Sequence, residues 1–458
     1  FIIKSKNDPA TYARLRLLVT GDNVYKLFTA GQVNKCNTPQ VDRFFNEFRI
    51  NGPAAPASVT LSKASLLLHD LGSPDSVIRR KAHLALSSAK FGKGDVSLLK
   101  DALFRLYQSP YNASQGTTIN LTIARKFAEL DDSTAVTYVR ESYPSLIEEK
   151  YSLKNTALSL LAHQHSAFSY ATLAELFKQG PTREKLDFSV LHAMTDSLAL
   201  TRTLFFAFQS WIRDTLQAPG IAYITLSLLD SGYLAKESIM PSAEAFIEAA
   251  AALLPALKTQ DDYNDYHLFS LLDLIGRFHI PASYSLLKDY LAVRNKFLLQ
   301  KAVQLLLDGG QSIPATALNR LAADPATRLD LYDTLTRFDK AALFPREYLV
   351  QSRFAESLIF GAAENDDEGT IEKLSLLSKK TAAVDGKTYA WYLYKVSYHT
   401  DDGLQNYLGI AGGYNPAAAG LKPKKNMTGI YWKEQLDGEN ADLLFKAYLK
   451  GIESDQKE

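Results

Sequence analysis

Cysteine is almost missing from this chain, and so is any surplus of charge. One cysteine, Cys36, stands among 458 residues. It cannot close an internal disulfide, and it excludes a cysteine-based zinc site. It leaves the redox compartment open. Lysine plus arginine total 51 against 50 aspartate plus glutamate. That balance argues against nucleic acid as the main partner, because phosphate backbones select a basic face. No run of about 18 apolar residues occurs, so no membrane span is expected. The longest candidate, Ala245–Leu257, is short and contains Glu248. No charged-then-apolar leader precedes Phe1. The chain is therefore expected to begin inside a larger polypeptide or after processing.

Familiar catalytic signatures are missing too. There is no P-loop, no G-x-G-x-x-G, no G-x-S-x-G, no H-E-x-x-H and no EF-hand loop. His163 and His165 are spaced poorly for shared metal ligation from one helical face, and read as parts of a turn between helices. Asp261, Asp262 and Asp265 lack the glycine and distal glutamate of a calcium loop. Asp366–Glu368 reads as a solvated linker, and Lys422, Lys424 and Lys425 as a surface loop. The search yields no catalytic, metal-ligating or cofactor-binding residue, and the chain is expected not to be an enzyme.

What is present is helix in short pieces. Apolar residues make up 46% of the chain, enough for a continuous core. Leu61–Leu71 places Ala64, Leu67, Leu68 and Leu71 on one face. Gly72-Ser73-Pro74-Asp75 then stops one helix and starts another. The second carries Ile78, Ala82, Ala85, Leu86 and Ala89 as one stripe, with Arg79, Arg80 and Lys81 expected in solvent. Further on, Leu158–Phe177 aligns without a gap to Leu272–Leu291, an offset of 114 residues. The shared positions include His165/His279, Tyr170/Tyr284 and Leu173/Leu287. Such an offset holds three units of about 38 residues, near the period of helical-hairpin arrays.

The ends differ from this middle. Ala13–Thr20 and Val24–Thr29 read as a β-hairpin, and Thr38–Phe48 as a helix with Thr38 as cap and Pro39 in its first turn. A hairpin and one helix cannot make a stable core, so residues 1–51 are expected to close an upstream α/β domain. Gly52–Ser58 reads as a linker. Within the helical train, Ser197–Leu216 reads as one long aromatic helix. After residue 362, Ile371–Lys379 reads as a helix, Thr388–Tyr398 as a strand, Tyr407–Ala411 and Gly429–Glu434 as further strands, and Asn440–Ile452 as a closing helix. The aromatic Trp391, Tyr394, Tyr431 and Trp432 form the candidate binding surface, since an alternating strand exposes one face.

The unit Leu61–Ala89 resembles a HEAT repeat, whose second helix reads V-R-x-x-A-x-x-A-L; Pro74, Ile78, Arg79, Ala82, Ala85 and Leu86 stand at the matching positions. The expected fold is thus mainly α: a HEAT-like α-solenoid of helical hairpins over 58–362, with a short N-terminal β-hairpin/helix segment and a small α+β cap over 363–458. Such a scaffold would bind a protein partner, or an upstream domain of the same polypeptide, along its concave face, with an aromatic or polar ridge on the inner helices. Leu68–Leu86, Asp196–Phe205, Leu329–Pro345, YLGIAGGY and TGIYW resemble the C-terminal region of long bacterial TraB/GumN proteins. That resemblance implies export beyond the cytoplasmic membrane. Its alternative for function is an accessory half of a metal-dependent hydrolase. Those hydrolases carry paired G-x-x-H motifs; this chain has one, Gly276–His279, and no catalytic residue carries over. A third alternative is an envelope- or glycan-binding module using the C-terminal aromatics.

Overall fold

The computed structural model describes residues 2–4, 11–20, 23–49, 63–108, 117–130, 133–146, 153–260, 266–364, 370–400, 403–417 and 420–455. The Gly52–Ser58 linker and the acidic segments 261–265 and 365–369 lie outside them. The fold is mainly α, with helices in series and two small antiparallel sheets. The chain divides into two compact units, 1–138 and 139–458.

In the first unit, β1 (Ile2–Lys4), β2 (Thr11–Thr20) and β3 (Asn23–Gln32) form a sheet in that order. The expected hairpin is there, longer than predicted and joined by a third strand. A single turn, α1 (Val33–Cys36), carries the buried Cys36. Then α2 (Pro39–Glu47) starts where the cap signal places it, with the Thr38 hydroxyl accepting from Val41 N–H at 3.3 Å. The helical train opens with α3 (Ala64–Asp70) and α4 (Ser76–Leu86). Asp75 caps α4, accepting from Val77 N–H at 2.8 Å. Here the stripe is rotated from the expected one. Arg79, Ala82 and Leu86 are buried, while Ile78 and Ala85 face out. The cause is the Arg79 guanidinium, which folds back to donate to the carbonyls of Ser73 and Pro74 at 2.7 and 2.8 Å. The expectation of a solvated Arg79 is corrected accordingly. Next come α5 (Val96–Leu103), α6 (Thr117–Ala128) and α7 (Ser133–Ser142), which runs across the division.

The second unit repeats helix, turn, helix. Its first pair is α8 (Leu153–His163) and α9 (Ala167–Phe177). Then follow α10 (Phe188–Thr195), α11 (Leu198–Thr201), a 3-10 stretch at Arg202–Phe208, and α12 (Gln209–Ile212). The single long helix expected over Ser197–Leu216 is thus broken into α and 3-10 pieces. Trp211, fully buried, donates to the Phe177 carbonyl at 2.8 Å and stacks edge-on against its ring. After α13 (Ala218–Asp230), a continuous helical run joins α14 (Lys236–Ile239) to α15 (Ala243–Leu257) through a 3-10 turn at Met240–Ser242. This run of 22 residues is long and apolar enough to cross a membrane by length and composition. The sequence reading, which started its apolar stretch at Ala245, is corrected on that point. The helix packs here as a core element, with Ala243, Phe246, Ala250 and Leu257 buried and α13, α16 and α17 beside it. Those neighbours are α16 (His267–Phe278) and α17 (Pro281–Asp289). The train continues through α18 (Lys296–Asp308), α19 (Ala315–Ala323), α20 (Pro325–Arg337) and α21 (Gln351–Glu364). One layer runs α8, α10, α13, α16, α18, α20, α21, each against the next.

The internal match is a structural repeat of the turn. His165 and His279 both adopt left-handed backbone, φ +47° and +54°, between consecutive helices. Histidine is among the few side chains that visit this region. The His279 Nδ1 meets the Tyr284 hydroxyl at 2.9 Å, and the His165 Nδ1 meets the Ser197 hydroxyl at 2.6 Å. Gly276 of the lone G-x-x-H has a packing role: a Cβ there would lie 2.7 Å from Leu305, so glycine lets α16 and α18 approach.

At the C-terminus, β4 (Thr370–Val384), β5 (Lys387–Thr400), β6 (Gly403–Tyr414) and β7 (Met427–Tyr431) form a meander, closed by α22 (Ala441–Asp455). Ile371–Lys379, expected to be helical, belongs to β4. Residues 371–384 pair with β5 nearly along its whole length, and that ladder decides the conformation.

Candidate binding groove

The four C-terminal aromatics do not make a surface. Trp391 is fully buried and packs with Leu393, Leu408 and Ile410 against Leu444 and Phe445 of α22. Tyr394 is buried on the opposite face with Tyr392 and Tyr398, beneath Ala355 and Ile359 of α21. Its hydroxyl donates to the Ser352 carbonyl at 2.5 Å, and burial holds its pKa well above the ordinary tyrosine value. The expectation of one open face fails because a helix covers each side of β5. Tyr431 is half-buried against the α22 cluster. Trp432 keeps 36% exposure and leans edge-on against Tyr398 and Tyr407 at 5.2 and 4.8 Å. Lys422 and Lys425 of the basic loop are engaged by Asp333 and Asp385.

Exposed aromatic and polar groups gather instead along α16, α18 and α20. Three helix starts position them, two of them capped. Tyr266 precedes α16, Asn295 caps α18 by accepting from Phe297 and Leu298 N–H at 3.0 and 3.1 Å, and Asp324 caps α20 by accepting from Ala326 N–H at 2.8 Å. From those starts, three- and four-residue spacings align one stripe per helix. Tyr266, Phe269, Ser270 and Asp273 come from α16 and its entry, Phe297, Gln300, Lys301 and Gln304 from α18, and Asp330 from α20. Together they line a groove of about 550 Å³. It shares Asp273 and Gln304 with a neighbouring hollow of about 360 Å³ that reaches Arg277, Asp308 and Arg337. Across Asp330 it meets a third, of about 330 Å³, walled by Phe354, Leu358 and the 421–426 loop. On the other side an aromatic row leads in: Phe188 against His192 at 3.9 Å and His267 at 5.6 Å, with Tyr223 against His267 at 4.9 Å.

Tyr266 is 76% exposed and Phe297 42%. Most charges beside them are paired: Lys301 with Asp273 at 3.0 Å, Arg277 with Asp230, Lys422 with Asp333. Asp330 makes no ion pair among the described residues. The Gln300 amide oxygen is buried and accepts no hydrogen bond among the described residues. No group of three or more metal-ligating side chains occurs among the described residues. Attention to the C-terminal aromatics missed these positions. The signal that could have found them is the appearance of aromatics on the polar stripe of a helix, at 266 and 269 and again at 297.

No family model and no curated protein sequence matches the chain. Among solved structures, it is similar to a chain from the complex of CpcE and CpcF of phycocyanin lyase from Nostoc sp. PCC7120. The likeness covers 63% of this chain and 99% of that one, at 16% identity and a TM-score of 0.26. The expectation that the chain is not an enzyme does not stand, because missing motifs exclude only their own chemistries; the solved structure it is similar to is of a phycocyanin lyase. At that similarity, no activity, substrate or site passes to this chain.

Proposed function

We propose that this chain is a helical-repeat scaffold that binds an extended segment of a protein partner, or of another domain of its own polypeptide, in the α16–α18–α20 groove. The observation that carries the proposal is the row of exposed rings, Tyr266 and Phe297, set among hydrogen-bonding side chains on stacked helices. Exposed aromatics of this kind supply most of the binding energy in protein interfaces. The reading takes in the arrangement implied by the TraB/GumN resemblance, in which the scaffold serves a hydrolase elsewhere in the polypeptide, exported beyond the cytoplasmic membrane. Fractionation of the source cells checks the export.

The test is a random 12-residue peptide library displayed against the full chain and against Tyr266→Ala/Phe297→Ala. Peptides enriched by the parent chain are expected to lose at least about tenfold in affinity on the double variant, the size of a hot-spot loss. Enrichment that survives the double substitution overturns the reading.

A further inference from the structure

The groove's chemistry narrows what it takes. Within it, Lys301 is already held by Asp273 at 3.0 and 3.2 Å. Asp330 is exposed and has no such cation among the described residues. A carboxylate without a cation favours a ligand that brings charged N–H groups. The remaining wall is aromatic: Tyr266 and Phe269 lie 6.5 Å apart, tilted by 56°, with Phe297 facing from the next helix. Aromatic faces attract cations, and they attract planar ones most effectively by stacking. An anionic ligand would add to the charge of Asp330, and an aliphatic one would leave that carboxylate unpaired.

We infer that the groove is a guanidinium pocket: an arginine side chain of the partner polypeptide lies on the Tyr266, Phe269 and Phe297 rings and donates N–H groups to Asp330. Arginine fits better than lysine because one planar fork presents paired donors to a carboxylate while its plane stacks on an aromatic ring. This rests on the reading of the groove as a polypeptide site.

The experiment uses the peptides enriched from the library, each made with arginine and with citrulline, its neutral planar isostere, and measured by fluorescence anisotropy. The enriched peptides are expected to share an arginine, and citrulline is expected to cost on the order of tenfold, in the range of a charge-assisted contact. Asp330→Asn should remove that arginine–citrulline difference, Asp330→Glu should keep most of it, and both variants should show the parent chain's melting temperature. Peptides that need Tyr266 and Phe297 but bind equally well with citrulline overturn the guanidinium assignment and leave the wider reading standing. If no peptide depends on the rings, both fall. Sedimentation velocity closes the remaining route: a dimer of the full chain that Tyr266→Ala converts to monomer would seat a second copy in the groove and overturn the assignment.

Discussion

Tyr170 shows what one polar atom does inside the helical train. Its ring is buried, and its hydroxyl lies 3.4 Å from the carbonyls of both Ala162 and Ala193, so it spans two helices. Burial pushes its pKa up to about 12 from an ordinary 10. The sign follows from linkage. Below pH 10 the phenol is neutral in both states and its contribution is whole. Between pH 10 and 12 the unfolded chain ionises first, so stability falls as pH rises. Tyr170→Phe is expected to flatten the decline of the denaturant midpoint across that window, by up to about 2–3 kcal/mol; an unchanged slope would mean the native hydroxyl ionises like a free one. Arg328 is a second such site. Its guanidinium is 1% exposed and donates to the carbonyls of Ala322, Ala323 and Arg353, to Ser357, and to Glu356 at 2.9 Å. Removing only the acid strands that charge, so Glu356→Ala should cost about 3–5 kcal/mol. Arg328→Met/Glu356→Leu should cost clearly less, and urea melts of both proteins compare the two. Sequence alone did not show this pair: both residues sit on amphipathic helices where charges ordinarily face solvent.

Helix starts were legible because their signals are local. Thr38-Pro39 and Asp75 each place a cap and a first turn within a few residues, and the helices begin there. The strand at Thr370–Val384 was not legible for the opposite reason. Its apolar pattern satisfies both periods, and only pairing with β5 decides between them. The burial of Trp391 is likewise non-local, set by α22, which follows the strand in the chain. The YLGIAGGY segment has its own reason to carry glycine: a Cβ at Gly412 would lie 1.9 Å from the Trp391 ring, and one at Gly409 would lie 2.7 Å from Ile359 and Val396. Gly412→Ala is therefore expected to displace Trp391 and destabilise the sheet by about 1–3 kcal/mol, visible as lost near-ultraviolet circular dichroism. Intact near-ultraviolet signal with unchanged stability would show that the tryptophan has room to move.

At the scale of the whole chain, the helical hairpins were readable and the division at 138/139 was not, because no change of composition marks it. Repeat arrays owe their stability to neighbouring contacts, so cooperativity can break where those contacts thin. The tryptophans offer a clean test. Trp211, Trp391 and Trp432 all lie in the second unit, so tryptophan fluorescence follows that unit alone, while far-ultraviolet circular dichroism follows helices in both. The two thermal transitions are expected not to coincide. Leu86→Ala sharpens the comparison: this side chain is fully buried on α4 in the first unit, and its truncation should cost about 2–5 kcal/mol. It should shift part of the dichroism transition downward and leave the fluorescence transition in place. If both transitions move together, the two units unfold as one cooperative body.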